Sequence, residues 1–183
     1  MHFTNTRPTK LFLLCLSFLM ISTFANAQSS KKDQQIIEDS QEAKAEFLED
    51  DPSMSELFEN AYGYIILPNV GKGGLGVGGA AGNGVAYEKG EFVGFAKMTQ
   101  ITIGFQAGGQ AYSEVVFFED EESWDRFKTG KIEMAAQVSA VAAASGASAN
   151  AEYVDGVAVF TRTKGGLMYE ASVGGQQFKF REN

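Results

Sequence analysis

Beyond residue 27 the chain has neither histidine nor cysteine, because His2 and Cys15 both lie in the leading segment. The usual proton shuttle, thiolate nucleophile and imidazole or thiolate metal ligands are therefore missing from the remainder. Ser–Lys pairs and carboxylate dyads stay chemically open, but no spacing singles one out. Glu119, Asp120, Glu121 and Glu122 gather four carboxylates without the spaced Asp-x-Asp-x-Asp-Gly pattern of a calcium loop. They read instead as the acidic first turn of a helix. The run from Gly74 to Gly79 matches G-x-G-x-x-G, a motif that carries a pyrophosphate only between a strand and a helix. The next residues, Ala80 to Val85, contain two more glycines and no helical period, and Lys72 lacks the G-K-[ST] context of a phosphate-binding loop. No catalysis, nucleotide, cofactor or metal is expected.

The leading segment has the form of an export signal. Arg7 and Lys10 form a positive start, Leu11 to Phe24 is apolar, and Ala25-Asn26-Ala27 fits the small-x-small cleavage rule before Gln28. The apolar run is too short for a membrane anchor, and Leu14 is not the small residue that a lipoprotein signal needs before Cys15. Residues 1–27 are thus expected to be removed, leaving 28–183 as one domain in the periplasm or on an envelope membrane. The full chain carries a formal charge of −8, and losing Arg7 and Lys10 makes it more negative. Such a chain is repelled by nucleic acid, and any contact with an anionic bilayer has to be local.

The elements are set by periodicity and turn chemistry. Lys31–Asp50 predicts a helix with a narrow stripe of Ile36, Ile37, Ala43, Phe47 and Leu48, with Lys31 and Lys32 at its start. Asp51-Pro52 opens a second helix over Ser53–Asn60. Tyr62–Leu67 reads as a strand closed by Pro68-Asn69, and Val85–Glu88 and Glu91–Met98 as a hairpin about Lys89-Gly90. Ile101–Ala107 and Ser113–Phe118 are further strands, followed by a helix carrying Trp124 and Phe127 and ending at Lys128 and Gly130. Gly156–Arg162, Leu167–Val173 and Gln176–Phe180 complete the β pattern, with a turn at Thr163–Gly166. Alanine-rich Met134–Ala151 has helical propensity, weakened by Ser139, Ser145, Gly146 and Ser148.

Several of these runs together resemble the SYLF domain family: Ala61–Pro68, the glycine-rich Gly71–Gly84, Gly104–Val116 with Ser113-Glu114-Val115-Val116, Ala158–Leu167 with Lys164-Gly165-Gly166-Leu167, and Ala171–Gly175. The resemblance covers roughly Gln35 to Phe180. It implies lipid binding: eukaryotic members recognise phosphoinositides, in part through an N-terminal amphipathic helix, and a yeast branch binds and bundles actin. Members with export signals are described as lipid-binding envelope proteins, and actin is not expected as a partner of an exported chain. The resemblance also favours β structure over helix for Met134–Ala151.

The expected architecture is α+β, a curved antiparallel sheet or partial β-barrel with N-terminal helices and one mid-chain helix packed against it. The expected function is non-enzymatic binding of phospholipid, of a phosphoinositide-like anionic class, at an envelope membrane surface. The alternative is a structural or protein-interaction module of the envelope without direct lipid binding. Lys31 and Lys32 are expected to meet phosphates while Ile36, Ile37, Phe47 or Leu48 inserts, with Lys72, Arg162 and Lys164 as a second cationic point. Gly76, Gly78 and Gly82 are expected to leave strand faces bare for close packing.

Overall fold

Lys89 and Gly90 both take positive φ, 51° and 83°, the pairing that a two-residue type I′ hairpin turn demands. The turn joins two long strands, β1 (Gly63–Glu88) and β2 (Glu91–Phe118), which pair antiparallel from Glu88↔Glu91 to Gly63↔Phe118. The computed structural model describes residues 9–130, 133–134, 141–142, 148–150 and 152–183. Ahead of β1 come α1 (Thr9–Asp50) and α2 (Met54–Asn60). After β2 come α3 (Glu121–Lys128), the short strands β3 (Glu133–Met134) and β4 (Val141–Ala142), a 3₁₀ turn at Ser148–Asn150 and the long β5 (Val157–Glu182). The chain divides into two units, Met1–Gln35 and Ile36–Asn183; the sheet and its core belong to the second.

The sheet order is β1-β2-β5-β3, with β4 also on β5. This corrects the expected curved sheet or partial β-barrel: the fold is α+β, but the sheet is open. Among the described residues β1 pairs only with β2, so no ladder closes the ends. The physical reason lies in the glycine-rich stretch. The chain reverses sharply between Gly74 and Gly78, where a methyl on Gly74 would stand 2.7 Å from the Val77 carbonyl oxygen and overlap the Cα of Gly78. Opposite, the register slips between Leu75↔Ala107 and Val77↔Ile103, so β2 carries extra residues around the outside of the bend. The open sheet is therefore folded over at one line rather than rolled up.

The fold gives each long strand two arms, and the main core draws on both. It combines Ile65, Leu67 and Val70 with Ala80 and Ala86 of β1, Tyr112, Val116 and Phe118 with Ala96 and Met98 of β2, and Val157 and Val159 with Phe178 of β5. Gly84 is what lets the arms of β1 meet, since a methyl there would overlap the Ile66 carbonyl and stand 3.0 Å from the Leu67 Cα. Gly82 is also tightly packed, its Cβ position 2.8 Å from Val70 Cγ2, so the expected close packing at bare glycines does occur there.

Helix α3 plugs the hairpin end. Asp120 and Ser123 form a reciprocal capping box, Glu121 and Glu122 fill the first turn, and Arg126 and Lys128 the last. Trp124 packs edge-on against Phe118 and donates its indole N–H to Glu88 Oε2 at 2.7 Å. A second core lies on the other side of the first arm, where Ala43 and Phe47 of α1 and Met54 and Phe58 of α2 meet Tyr64, Ile66, Val115, Phe117 and Phe160.

Turn signals within the strands account for the other differences. Pro68-Asn69 and Thr163–Gly166, the expected strand ends, are irregularities in ladders that continue, with Lys164 the extra residue opposite Ala111 and Tyr112. Within Met134–Ala151, Met134 and Val141–Ala142 are strand and Ser148–Asn150 is 3₁₀; the rest of that segment lies outside the described residues. Residues 1–8 of the expected signal lie outside them too, while the backbone from Thr9 is helical and continuous with α1.

Gly74→Ala and Gly84→Ala should each destabilise the fold by about 1–3 kcal/mol, the usual range for forced overpacking. Gly71→Ala, whose Cβ position has no neighbour within 4 Å, should change stability little. Urea denaturation of the three variants checks the contrast.

Candidate functional site

The nine positions singled out from the sequence fall in different settings. Lys31 and Lys32 are exposed inside a continuous helix, not at its start, and belong to the first unit. In the second unit Ile36 and Ile37 are half-buried, Leu48 packs against the second core, and Phe47 is 0 % exposed within it. Phe47 thus has no surface to give to a membrane. Arg162 is engaged by α1: its Nε donates to Asp50 Oδ2 at 2.6 Å and its Nη1 lies 3.0 Å from Glu46 Oε2. The Asp50 hydrogen bond holds the guanidinium above its ordinary pKa, helped by the charges of Glu46, Asp50 and Glu49 against a smaller cost of desolvation. Lys164 is exposed and donates to Asn69 Oδ1 at 3.3 Å. Lys72 is half-buried and near enough to Glu114 to act on its charge. Arg162, Lys164 and Lys72 therefore each answer to a different partner.

What the fold does assemble is an apolar crest. Leu75 and Val77, either side of Gly76 at the apex of the reversal, are 83 % and 64 % exposed. Ile101, opposite Gly79 on β2 and diagonal to Val77, is 70 % exposed. The reversal has no room for an inner side chain at Gly74, so the large residues beside it point outward. The glycines beside them on β1, Gly73, Gly74, Gly78 and Gly79, have no side chains to cover them. Sequence reasoning missed the crest because Leu75 and Val77 read as minor interruptions of a glycine string. Their isolation among glycines was the available signal.

Beneath the fold the core turns polar. Glu114 is 1 % exposed on β2, on the inward face it shares with Tyr112, Val116 and Phe118. Its Oε2 accepts from Gln176 Nε2 of the second arm at 3.0 Å, while its Oε1 and the Gln176 Oε1 are buried without partners. Burial pushes the Glu114 carboxyl up to about 7, against the Gln176 hydrogen bond and the Lys72 charge, which pull it down. Glu114 thus ties the two arms together close to the fold. Among the described residues no group of three or more His, Cys, Asp or Glu could hold a metal ion, and no helix is long and apolar enough to cross a bilayer.

Residues 99–183 match the family model described as "Ysc84: Las17-binding protein actin regulator". A curated relative, "Beta cell expansion factor A" of Aeromonas veronii, is 31% identical over 129 residues, which cover 69% of this chain and 49% of that protein. The chain spans about half the length of this relative. It thus carries a Ysc84/SYLF-like domain over part of its length. The matched segment includes Ile101 and Glu114, while Leu75 and Val77 precede it.

Glu114 gives the stability a definite pH dependence. In the unfolded chain it ionises from about pH 4.5, whereas in the fold it stays neutral to about 7. Between those values the folded state holds more protons, so this group's contribution is full below the window and is lost as pH rises through it. The loss is on the order of 3 kcal/mol. Glu114→Gln should remove this slope, gaining on the wild type between pH 5 and pH 8 when urea midpoints are compared.

Proposed function

We propose that this chain, through its Ysc84/SYLF-like domain, is a non-enzymatic phospholipid-binding protein that works at an envelope membrane surface after export. The observation that carries the reading is the crest of Leu75, Val77 and Ile101, three large apolar side chains left in water at the apex of a bare backbone reversal. A clustered apolar exposure of this kind marks a membrane or protein contact. Fully burying one such side chain is worth about 1.5–3 kcal/mol, so three, even partly inserted, supply enough for measurable partition into a bilayer surface. Interfacial binding adds local attraction between cations and head groups, and the exposed Lys31 and Lys32 of α1 can contribute to it. The half-buried Ile36 and Ile37 can serve only if their packing loosens.

The description of the matched family names binding to Las17 and actin regulation, which supports the rival reading of a protein-interaction module using the same crest. Flotation with phospholipid vesicles separates the two. Wild-type protein should float, and the triple change Leu75→Ser, Val77→Ser, Ile101→Ser should lower vesicle affinity at least tenfold with the thermal midpoint unchanged. Absence of wild-type flotation with every vesicle composition sinks the lipid reading. Export is checked by the intact mass of the protein recovered from the envelope, which should begin at Gln28.

A further inference from the structure

Although the chain is acidic, its 23 carboxylates avoid three stretches altogether: residues 60–87, 92–113 and 171–181. The pairing of β1, β2 and β5 places the parts of these stretches beyond the bend, residues 78–87, 92–102 and 174–181, side by side in the second arm of the folded sheet. On β2 the residues alternating with the inward Ala96 and Met98 are Phe95, Lys97, Thr99 and Ile101. Their cross-strand partners are Val85, Asn83, Ala81 and Gly79 on β1, and Arg181, Lys179, Gln177 and Gly175 on β5. This face therefore carries Lys97 directly opposite Lys179, beside a buried end at Val85 and Phe95, over whose ring Arg181 lies at 4.4 Å. Both lysines are exposed, and neither makes a salt bridge among the described residues.

Like charges directly opposite on a sheet face cost stability, and a face built this way lowers its energy when an anion sits between them. The arrangement is also graded along the strands. Glu88, Glu91 and Glu182 stand at the hairpin end, the cations come next, then Thr99 and Gln177 with Glu133 of β3 opposite Gln177 at the sheet edge, and last the crest. Lys97 is four residues from Ile101, about 13 Å along an extended strand. When the crest sinks about 5–10 Å into the boundary between head groups and acyl chains, long lysine side chains reach back to the phosphate layer. The carboxylates at the far end stay away from it.

We propose that the outward face of the second arm is the membrane-docking surface and takes anionic phospholipid, with Lys97 and Lys179 sharing head-group phosphate while Leu75, Val77 and Ile101 insert. This rests on the lipid-binding reading and adds to it the docking face and the orientation. A cation near an anionic surface contributes about fivefold in affinity, so Lys97→Gln with Lys179→Gln should weaken binding about 25-fold.

The test is flotation of the full chain with vesicles of phosphatidylcholine alone and of phosphatidylcholine with phosphatidylglycerol, at low and high salt. Wild type should prefer the phosphatidylglycerol vesicles and lose that preference in high salt. The double variant should bind both compositions alike, with unchanged circular dichroism; each single variant should lie between and serves if the pair fails to fold. Lys164→Gln should bind as wild type does. Wild type that binds neither vesicle overturns the lipid reading itself. Wild type that binds, with the Lys97 and Lys179 variants undiminished or with no preference for phosphatidylglycerol, overturns the docking face alone.

Discussion

The near-contact of two glycine backbones, Gly74 and Gly78, decides the geometry of the second unit. A strand that runs from Gly63 to Glu88 would extend far beyond the span of a small domain if it stayed straight. Reversing it within four residues needs a site where neither side chain nor Cβ intervenes. Once β1 turns there, β2 turns with it along their shared ladder, β5 follows along β2, and the inner faces of both arms close on one core. The same reversal that builds the core strips cover from Leu75 and Val77. Core formation and apolar exposure are two results of one bend.

Glu114 illustrates how such a fold tolerates a group that opposes it. A carboxylate between packed layers is costly when ionised, and here it answers to one amide hydrogen bond and the influence of Lys72. It occupies the zone where the core gives way to polar side chains, so the arms are held by directional bonds near the bend and by aromatic packing near α3. The two ends of the folded sheet are thus secured by different physics.

Much of the local structure was legible in the sequence because its causes are local. Lys89-Gly90, the acidic start of α3 and the glycine just past it each act within a few residues. The continuity of the strands was not legible, since glycine and Pro68-Asn69 look like breaks while the ladder bonds that carry the chain through them come from distant residues. Whether the sheet closes depends on which edges find each other, and that is fixed by the angle of one bend. Phe47 and Leu48 are neighbours in an amphipathic stripe, and only packing shows that Phe47 is sealed in the core. Glu114 left a trace: Ser113–Phe118 is apolar on both faces, the mark of a strand covered on both sides, so a carboxylate within it had to be interior. The acid-free stretches were visible as composition, but their adjacency needed the register.

The order of the strands also has a temporal consequence. The β1–β2 hairpin can zip from Lys89-Gly90 as soon as both strands exist, whereas Gly94 must wait for Glu182, near the last residue of the chain. Until then β2 offers a long unpaired edge, and contacts between such distant residues form slowly. A newly made molecule therefore passes through a stage with an open, apolar strand edge. That stage, rather than the finished fold, is where assistance from a holding factor has most to protect.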